Sequence, residues 1–479
     1  MNPMEPSRDG NAVFSRYRPI VADWDAFVES LRRPLPTTLW ANPLRLDRQS
    51  LVELLAADGV AAEPIAWNPR ALRLPADFMP GGHWGLFAGL YQSQEEVSML
   101  PVALLNPQPG ERVLDLCAAP GNKTAQIAVA MRNSGTVVAN DVQRGRLSAI
   151  RQVVRRLGLV NVSITRRPGE DYPYRAGAFD RVLVDAPCTC EGTWRKASVP
   201  RESVVAYGSH PGARAEMVRR QLRLLRRAVQ LCRAGGRIVY STCTFAPEEN
   251  ESVVNAVLKE YGDCLSLRPA AISGFPASRG LEGWGGERFH PDMGHCLRVW
   301  PHENDTGGFF VAVIEKLDGD QPRPTPVPLE PAETDIVVET IARFGLEAGD
   351  LEGLIATAPR GKYQNLVSQD HTLPETLATE ATGLPAVGVK VKPSKLTTAA
   401  AMVFAAGARC NRVALDADQA VAFVRRREFR VAEDCLKDVT GNGYVLVYRR
   451  GYCLGIGRLR RSAVGEPIVE SLFPKAWVR

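Results

Sequence analysis

The stretch Val113–Ile127, VLDLCAAPGNKTAQI, leaves this chain few folds to choose from. Val113, Leu114 and Leu116 form the apolar run expected of a strand covered on both faces. Pro120 and Gly121 break the run, and Lys123-Thr124 open a helix. Such a turn carries backbone N–H groups and a helix N-terminus to the carboxyl end of a central strand, where open α/β sheets bind nucleotide-like ligands. The loop has neither GxGxxG nor Gly-x4-Gly-Lys spacing. With one Gly and one Lys it suits S-adenosylmethionine better than a pyrophosphate. Asp141, directly after the next strand, is placed to accept hydrogen bonds from both ribose hydroxyls of a nucleoside. Small residues after a first strand also serve packing alone.

From 110 to 316 apolar runs alternate with helical segments, the pattern of a parallel sheet with covering helices. Strands are predicted at 112–117, 136–140, 161–165, 180–185, 236–242, 296–300 and 309–314, with helices at 144–157 and 214–233 between them. Upstream, a short helix is expected near 23–31, a strand and turn at 36–45, a helix at 47–58 and another at 93–105. Five prolines in 317–331 mark an exposed linker and the best domain boundary. A smaller α/β region follows, ending in a hairpin around Arg449-Arg450-Gly451. No apolar run approaches the ~20 residues that span a bilayer, and MNPMEPSRDGNAVF has no signal core, so a cytoplasmic location is expected. The ten cysteines have no disulfide-scaffold rhythm and are expected as reduced thiols. A net charge of +6 permits an anionic partner without demanding one.

Two further motifs carry chemistry. DAPCTCEGTWRK (185–196) ends a strand in Asp-Ala-Pro-Cys, which puts Cys188 at the mouth of the sheet, with Pro187 fixing the backbone. Arg195 and Lys196 offer nearby positive charge to lower the thiol pKa. YSTCTFAPEEN (240–250) ends another strand with Cys243, and Pro247–Asn250 is expected to start a helix. No metal is expected, because Cys188-x-Cys190 has no second CxxC or His pair at suitable spacing. Two strand ends that each offer a thiol beside a cofactor loop fit one chemical problem. Carbon 5 of cytosine is a poor nucleophile until a thiolate adds at carbon 6. The carbon 5 proton must then leave and the thiolate be eliminated. Asp185 could hold N3 and the exocyclic amine of the base.

These motifs, with QSQEEVSMLPVALL (92–105), VVANDVQRGRL (137–147) and HCLRVWPHENDTGGFFVAVIEK (295–316), resemble the Nop/Sun (NSUN) family of RNA cytosine-5 methyltransferases over roughly residues 36–316. The family includes bacterial 16S ribosomal RNA enzymes and multisite tRNA enzymes. The resemblance implies a Rossmann-like α/β methyltransferase sheet that uses S-adenosylmethionine. It implies that Cys117, Ala118, Ala119, Pro120, Gly121, Asn122, Lys123, Asp141, Asp171 and Asp185 line the cofactor site. It makes Cys243 the nucleophile and Cys188 the group that helps release methylated RNA; the residues alone do not choose between the two thiols. The family usually has Gly at the positions of Asn122 and Cys190. Asn tolerates φ > 0, so the loop is expected to survive, and Cys190 is given no catalytic role.

The implied layout is an N-terminal RNA-recognition region (1–105), the methyltransferase domain (106–316), the linker (317–331) and a PUA-like RNA-binding region (332–479), in a monomer. The ending LFPKAWVR is similar to the PUA-like tail of the ribosomal RNA members. The arginine-rich helix 218–233 is a candidate RNA contact. So are Arg425–Arg427 and Arg458–Arg461 with the aromatics Phe423, Phe429, Tyr444, Tyr448 and Tyr452, since basic residues with interleaved aromatics suit RNA. The expected function is cytosine-5 methylation of structured RNA, with 16S ribosomal RNA as substrate. A tRNA substrate, a non-catalytic ribosome assembly factor and a DNA methyltransferase are the alternatives.

Overall fold

Side chains alternate across a strand, and the central run obeys this while burying both faces. In the computed structural model, which describes residues 10–174, 178–202, 204–205, 211–318, 327–373, 378–461 and 466–478, Val113 packs with Val137 and Leu183 in one core. Leu114 and Leu116 pack with Val138 and Val182 in another. The first core is closed by the helices Leu100–Leu105, Asn122–Ala130 and Leu147–Leu157. The second is closed by Pro211–Leu231 and Glu251–Tyr261.

The N-terminal strands β1 (Thr37–Ala41), β2 (Glu63–Pro64), β3 (Ala71–Leu74) and β4 (Tyr91–Ser93) form their own antiparallel sheet. The central sheet holds β5 (Arg112–Asp115), β6 (Thr136–Asn140), β7 (Val162–Thr165), β8 (Phe179–Asp185) and β9 (Cys232–Thr242), parallel in the order β9-β8-β5-β6-β7. The chain leaves β5 towards β6 and later returns to its other side as β8. The carboxyl ends of β5 and β8 therefore bound the crevice at the topological switch point. Antiparallel strands extend both sides: Phe309–Lys316 pairs with β9, followed by Leu297–Val299 and Ser278–Arg279, and Ala381–Thr382 pairs with β7.

Several expectations need correction. The segment 93–105 is not one helix: β4 ends at Ser93, a 3-10 turn covers Glu96–Met99, and the α-helix starts at Leu100. Pro101 lacks an N–H and fits only the first helical turn. Pro247–Asn250 lies ahead of the helix, which starts at Glu251. The Asn250 side chain accepts from the Thr242 hydroxyl and donates to the Thr244 carbonyl, so it ties the turn to β9 instead of continuing a helix.

The C-terminal region packs against the N-terminal one. Leu39, Leu72 and Leu74 share a core with Val413, Phe423, Val445 and Leu459, and Arg450 pairs with Asp58 at 3.0 Å. Of the Pro-rich stretch, 319–326 lies outside the described residues, and Val327–Pro328 pairs with Thr372–Leu373. Phe423 and Tyr448 are buried, so neither is a stacking platform. Phe473 of the terminal LFPKAWVR packs against Phe87, Phe423 and Trp477. In the helix Pro211–Leu231, Arg219, Arg220 and Arg226 pair with Glu216, Glu170 and Glu260. No described helix is long and apolar enough to cross a membrane.

Candidate active site

The turn after β5 is held from several sides. Gly121 takes φ of 106°, and a Cβ there would sit 3.0 Å from the Ile150 Cα, so glycine is required twice over. Asn122 does not need a left-handed backbone, as it starts the helix. Its side-chain oxygen accepts from Gln92 Nε2 at 2.9 Å. Asp141, buried at the end of β6, accepts from the Ala119 N–H at 3.3 Å and the Gln143 N–H at 2.9 Å, with Arg146 at 3.4 Å. In this structure its oxygens clamp the loop's own backbone.

Beside the turn lies a cavity of about 260 Å³. Of the expected set, Cys117, Ala118, Ala119, Pro120, Asn122, Lys123 and Asp185 line it; Gly121, Asp141 and Asp171 do not. Asp171 is exposed on a 3-10 turn. Cys117 has its thiol pushed far up by burial, which leaves it a poor nucleophile. Two lining acids escaped the sequence reading. Asp115 accepts from the Thr124 hydroxyl at 2.6 Å through one oxygen, and its other oxygen is buried with no partner. Burial, opposed by the Thr124 bond, pushes its carboxyl up to about 7. Glu95 is likewise raised by burial, against the N–H groups of Gly307, Val97 and Ser98. A dehydrated acidic wall favours a cationic ligand, which would restore ionisation.

The raised Asp115 carboxyl predicts a pH effect. The folded chain holds this proton more tightly than the unfolded chain, so its stability falls as pH rises from the ordinary carboxylate range to about 7. Asp115→Asn removes the penalty. The variant should melt about 2 °C or more above the parent at pH 8, with the gap closing at pH 4. An equal gap at both pH values in calorimetry would refute this account.

Lys123 Nζ meets Asp185 Oδ2 at 2.7 Å, and the Ser241 hydroxyl donates to Asp185 Oδ1 at 2.8 Å. Burial works against the Lys123 charge, but Asp185 outweighs it and raises the ammonium pKa. Asp185 and Ser241 are paired in the parallel ladder of β8 and β9, so the loops that follow run side by side. They bring Cys188 Sγ within 3.4 Å of Cys243 Sγ. Cys190 joins them: the three sulfurs lie within 4.8 Å of one another. Cys188 is raised well above the thiol range by its bonds to Cys190 and Cys243. Cys190 is lowered, to about 3, by its bonds to Cys188 and Cys243. Cys243 is favoured by its Cys188 bond but raised overall by Cys190 and burial.

Arg195 does not join the thiols as expected. It is buried and pairs with Asp305 at 2.6 Å while donating to the carbonyls of Arg33, Pro34 and Thr306. Lys196 supplies the positive charge, lining the cavity and lowering Cys190. Behind the thiols sits a buried network that no sequence motif announced. Glu249 accepts from the Thr189 N–H at 3.0 Å, the Thr189 hydroxyl at 2.6 Å and Gln221 at 2.9 Å. Gln221 also donates to the Pro187 carbonyl at 2.8 Å. Glu191 accepts from Tyr17 at 2.6 Å and Thr244 at 2.9 Å. These bonds hold the backbone on both sides of Cys188, at the Pro187 carbonyl and the Thr189 N–H, while the Gln221 side-chain oxygen stays buried without a hydrogen-bond partner. Phe14, Tyr17 and Phe27 pack on Trp194, Phe245 and Trp300, so this part of the expected RNA-recognition region braces the site from behind.

Residues 102–315 match the family model described as 16S rRNA methyltransferase RsmB/F. The ribosomal RNA small subunit methyltransferase F of Erwinia tasmaniensis is 32% identical over 344 residues, covering 68% of this chain and 69% of that protein. The chain belongs to this family. RsmB/F and the Nop/Sun relatives are S-adenosylmethionine-dependent methyltransferases. A mouse 28S rRNA (cytosine-C(5))-methyltransferase is 35% identical over 304 residues, 62% of this chain but only 37% of the mouse protein. The chain thus spans well under half of that longer relative. A methyltransferase homolog from Pyrococcus horikoshii, solved by crystallography, superposes with a TM-score of 0.55 at 29% identity, over 64% of this chain and 99% of that one. This supports the mixed α/β methyltransferase sheet and leaves the PUA-like assignment of the C-terminal half without support.

Proposed function

We propose that this RsmB/F-family chain methylates carbon 5 of cytosine in ribosomal RNA, that of the small subunit, through a covalent cysteine–cytosine adduct. The observation that carries the reading is the pair of thiols 3.4 Å apart beside the loop cavity. S-adenosylmethionine supplies the electrophilic methyl group. The lining groups Cys117–Pro120, Asn122 and Lys123 would hold it, with Asp115 and Glu95 facing its positive charge. Asp141 would reach the ribose after releasing the Ala119 N–H. Asp171 is the remaining proposed nucleoside contact.

Cys243, once its thiol proton has passed to solvent, forms a bond from sulfur to carbon 6, and the carbon 5–carbon 6 electron pair moves to carbon 5. That carbon can then accept the methyl group that the bound cofactor would supply, with S-adenosylhomocysteine as the product left behind. Asp185, held by Lys123 and Ser241, would stabilise the adduct through N3 and the exocyclic amine. Cys188, as the thiolate once its own proton has passed to solvent, takes the carbon 5 proton. The carbon 5–carbon 6 double bond re-forms and the Cys243 thiolate leaves.

Ribosomal RNA is favoured over tRNA by the names of the relatives, and the small subunit by the Erwinia tasmaniensis enzyme, which is matched over 69% of its length. Bisulfite sequencing of total RNA from a strain lacking the gene tests the proposal. Loss of one mark in small-subunit ribosomal RNA is expected. Loss of a tRNA mark would redirect it, and no lost mark would sink it in favour of an assembly factor.

A further inference from the structure

Cys190 occupies a position that a side chain should avoid. Its φ is 59°, in the left-handed region that disfavours any residue with a Cβ. The backbone strain is met by a local gain. The Cys190 sulfur lies 3.3 Å from the Cys188 carbonyl and within 4.8 Å of both the Cys188 and Cys243 sulfurs. Among the described residues this is the one group of three or more His, Cys, Asp or Glu ligand atoms close enough to hold a metal ion. Spacing along the chain hides it, since Cys243 comes from a different strand end than the Cys188-x-Cys190 pair.

We infer that Cys188, Cys190 and Cys243 form a binding site for a soft, thiophilic divalent cation of the zinc and cadmium class. Zn–thiolate bonds of about 2.3 Å in a tetrahedron place neighbouring sulfurs about 3.8 Å apart. The 3.4 Å separation of the Cys188 and Cys243 sulfurs, inside a 4.8 Å group, needs only small side-chain shifts to reach this. Three thiolates suit soft cations over magnesium or calcium, which prefer oxygen. The ion binds as the thiols release their protons to solvent, and water completes the fourth position. Lys196, which lines the adjoining cavity, brings a positive charge near the three thiolates. Cys190 and Cys243 are each partly exposed, which gives the ion an entry path. The ligand set stands whether or not the chain methylates RNA. If it does, the bound ion occupies both proposed working thiols and blocks transfer until a chelator removes it.

The test is titration of the reduced full-length chain with Cd²⁺ under anaerobic conditions. It reads thiolate-to-metal charge-transfer absorbance and the native mass. One tightly bound ion per chain is expected, with Cys188 and Cys243 protected from iodoacetamide in a peptide map. Cys190→Gly should weaken that ion's affinity about a hundredfold or more, and Cys190→Ser should do the same while keeping the Cβ. Cys264→Ser, at an exposed cysteine elsewhere, should leave it unchanged. Glycine suits the left-handed backbone, so Cys190→Gly should melt no lower than the metal-free parent. Equal affinity in parent and Cys190 variants would overturn the site. So would a metal-free chain two hydrogens lighter, with Cys190 in a disulfide.

Discussion

Replacing Cys243 with alanine will abolish methyl transfer and leave RNA binding intact. Without a thiolate at carbon 6, carbon 5 of cytosine has too little electron density to attack the methyl group. The expected loss in turnover is about four orders of magnitude or more. RNA affinity comes mainly from phosphate contacts across the surface, so the dissociation constant should change by no more than about twofold. Cys243 is partly exposed, and its truncation should cost only about 1 kcal/mol of stability. Transfer from labelled S-adenosylmethionine and filter binding on the same preparation separate the two effects. Retained transfer in this variant would move the nucleophile to Cys188, whose thiol is 3.4 Å away. Loss of RNA binding would instead assign Cys243 a structural part.

The central sheet was legible in the sequence because its strands are local and buried on both faces. Val113, Leu114, Val137 and Val138 are apolar on both sides of the pleat, so continuous runs mark them without reference to the rest of the chain. The turn after β5 was legible for the same reason, since Cys117–Lys123 is contiguous in the chain. Whatever depends on distant contacts was not. Asp115 left a trace, a lone acid in the apolar run VLDL, yet its unpartnered oxygen shows only when the strand is packed. Glu249 reads as a helix-start acid, but its work is to hold Thr189 and Gln221, which lie far from it along the chain. Arg195 sits near Cys188 in sequence and points away from it to Asp305. The basic and aromatic alternation near the C-terminus suggested an RNA platform, although Phe423 and Tyr448 are spent on the core. Composition identifies residue types that could stack on bases, and only burial decides whether they are free to do so.

Cys188→Ala should have the opposite chemical signature: a covalent protein–RNA adduct that accumulates. The proposed reaction makes two demands on thiols in sequence. Cys243 must first bond to carbon 6, and a base must later remove the carbon 5 proton so that the same bond can break. After Cys243 is consumed in the adduct, Cys188 is the thiol beside it, 3.4 Å from the Cys243 sulfur. Its backbone is fixed by Thr189, Glu249 and Gln221, so a substitution at the side chain should leave the loop in place. Without that base the methylated adduct persists. A slow-moving band on denaturing gels, dependent on S-adenosylmethionine and RNA, should rise at least about tenfold over the parent as turnover falls by about a hundredfold or more. The double variant Cys188→Ala, Cys243→Ala should show no band, because the thiol proposed to form the bond at carbon 6 is gone and Cys190 has no part in the proposed reaction. A band in Cys243→Ala and none in Cys188→Ala would reverse the two roles. Equal turnover in parent and Cys188→Ala would remove Cys188 from the mechanism and leave its thiol to the ion-binding cluster alone.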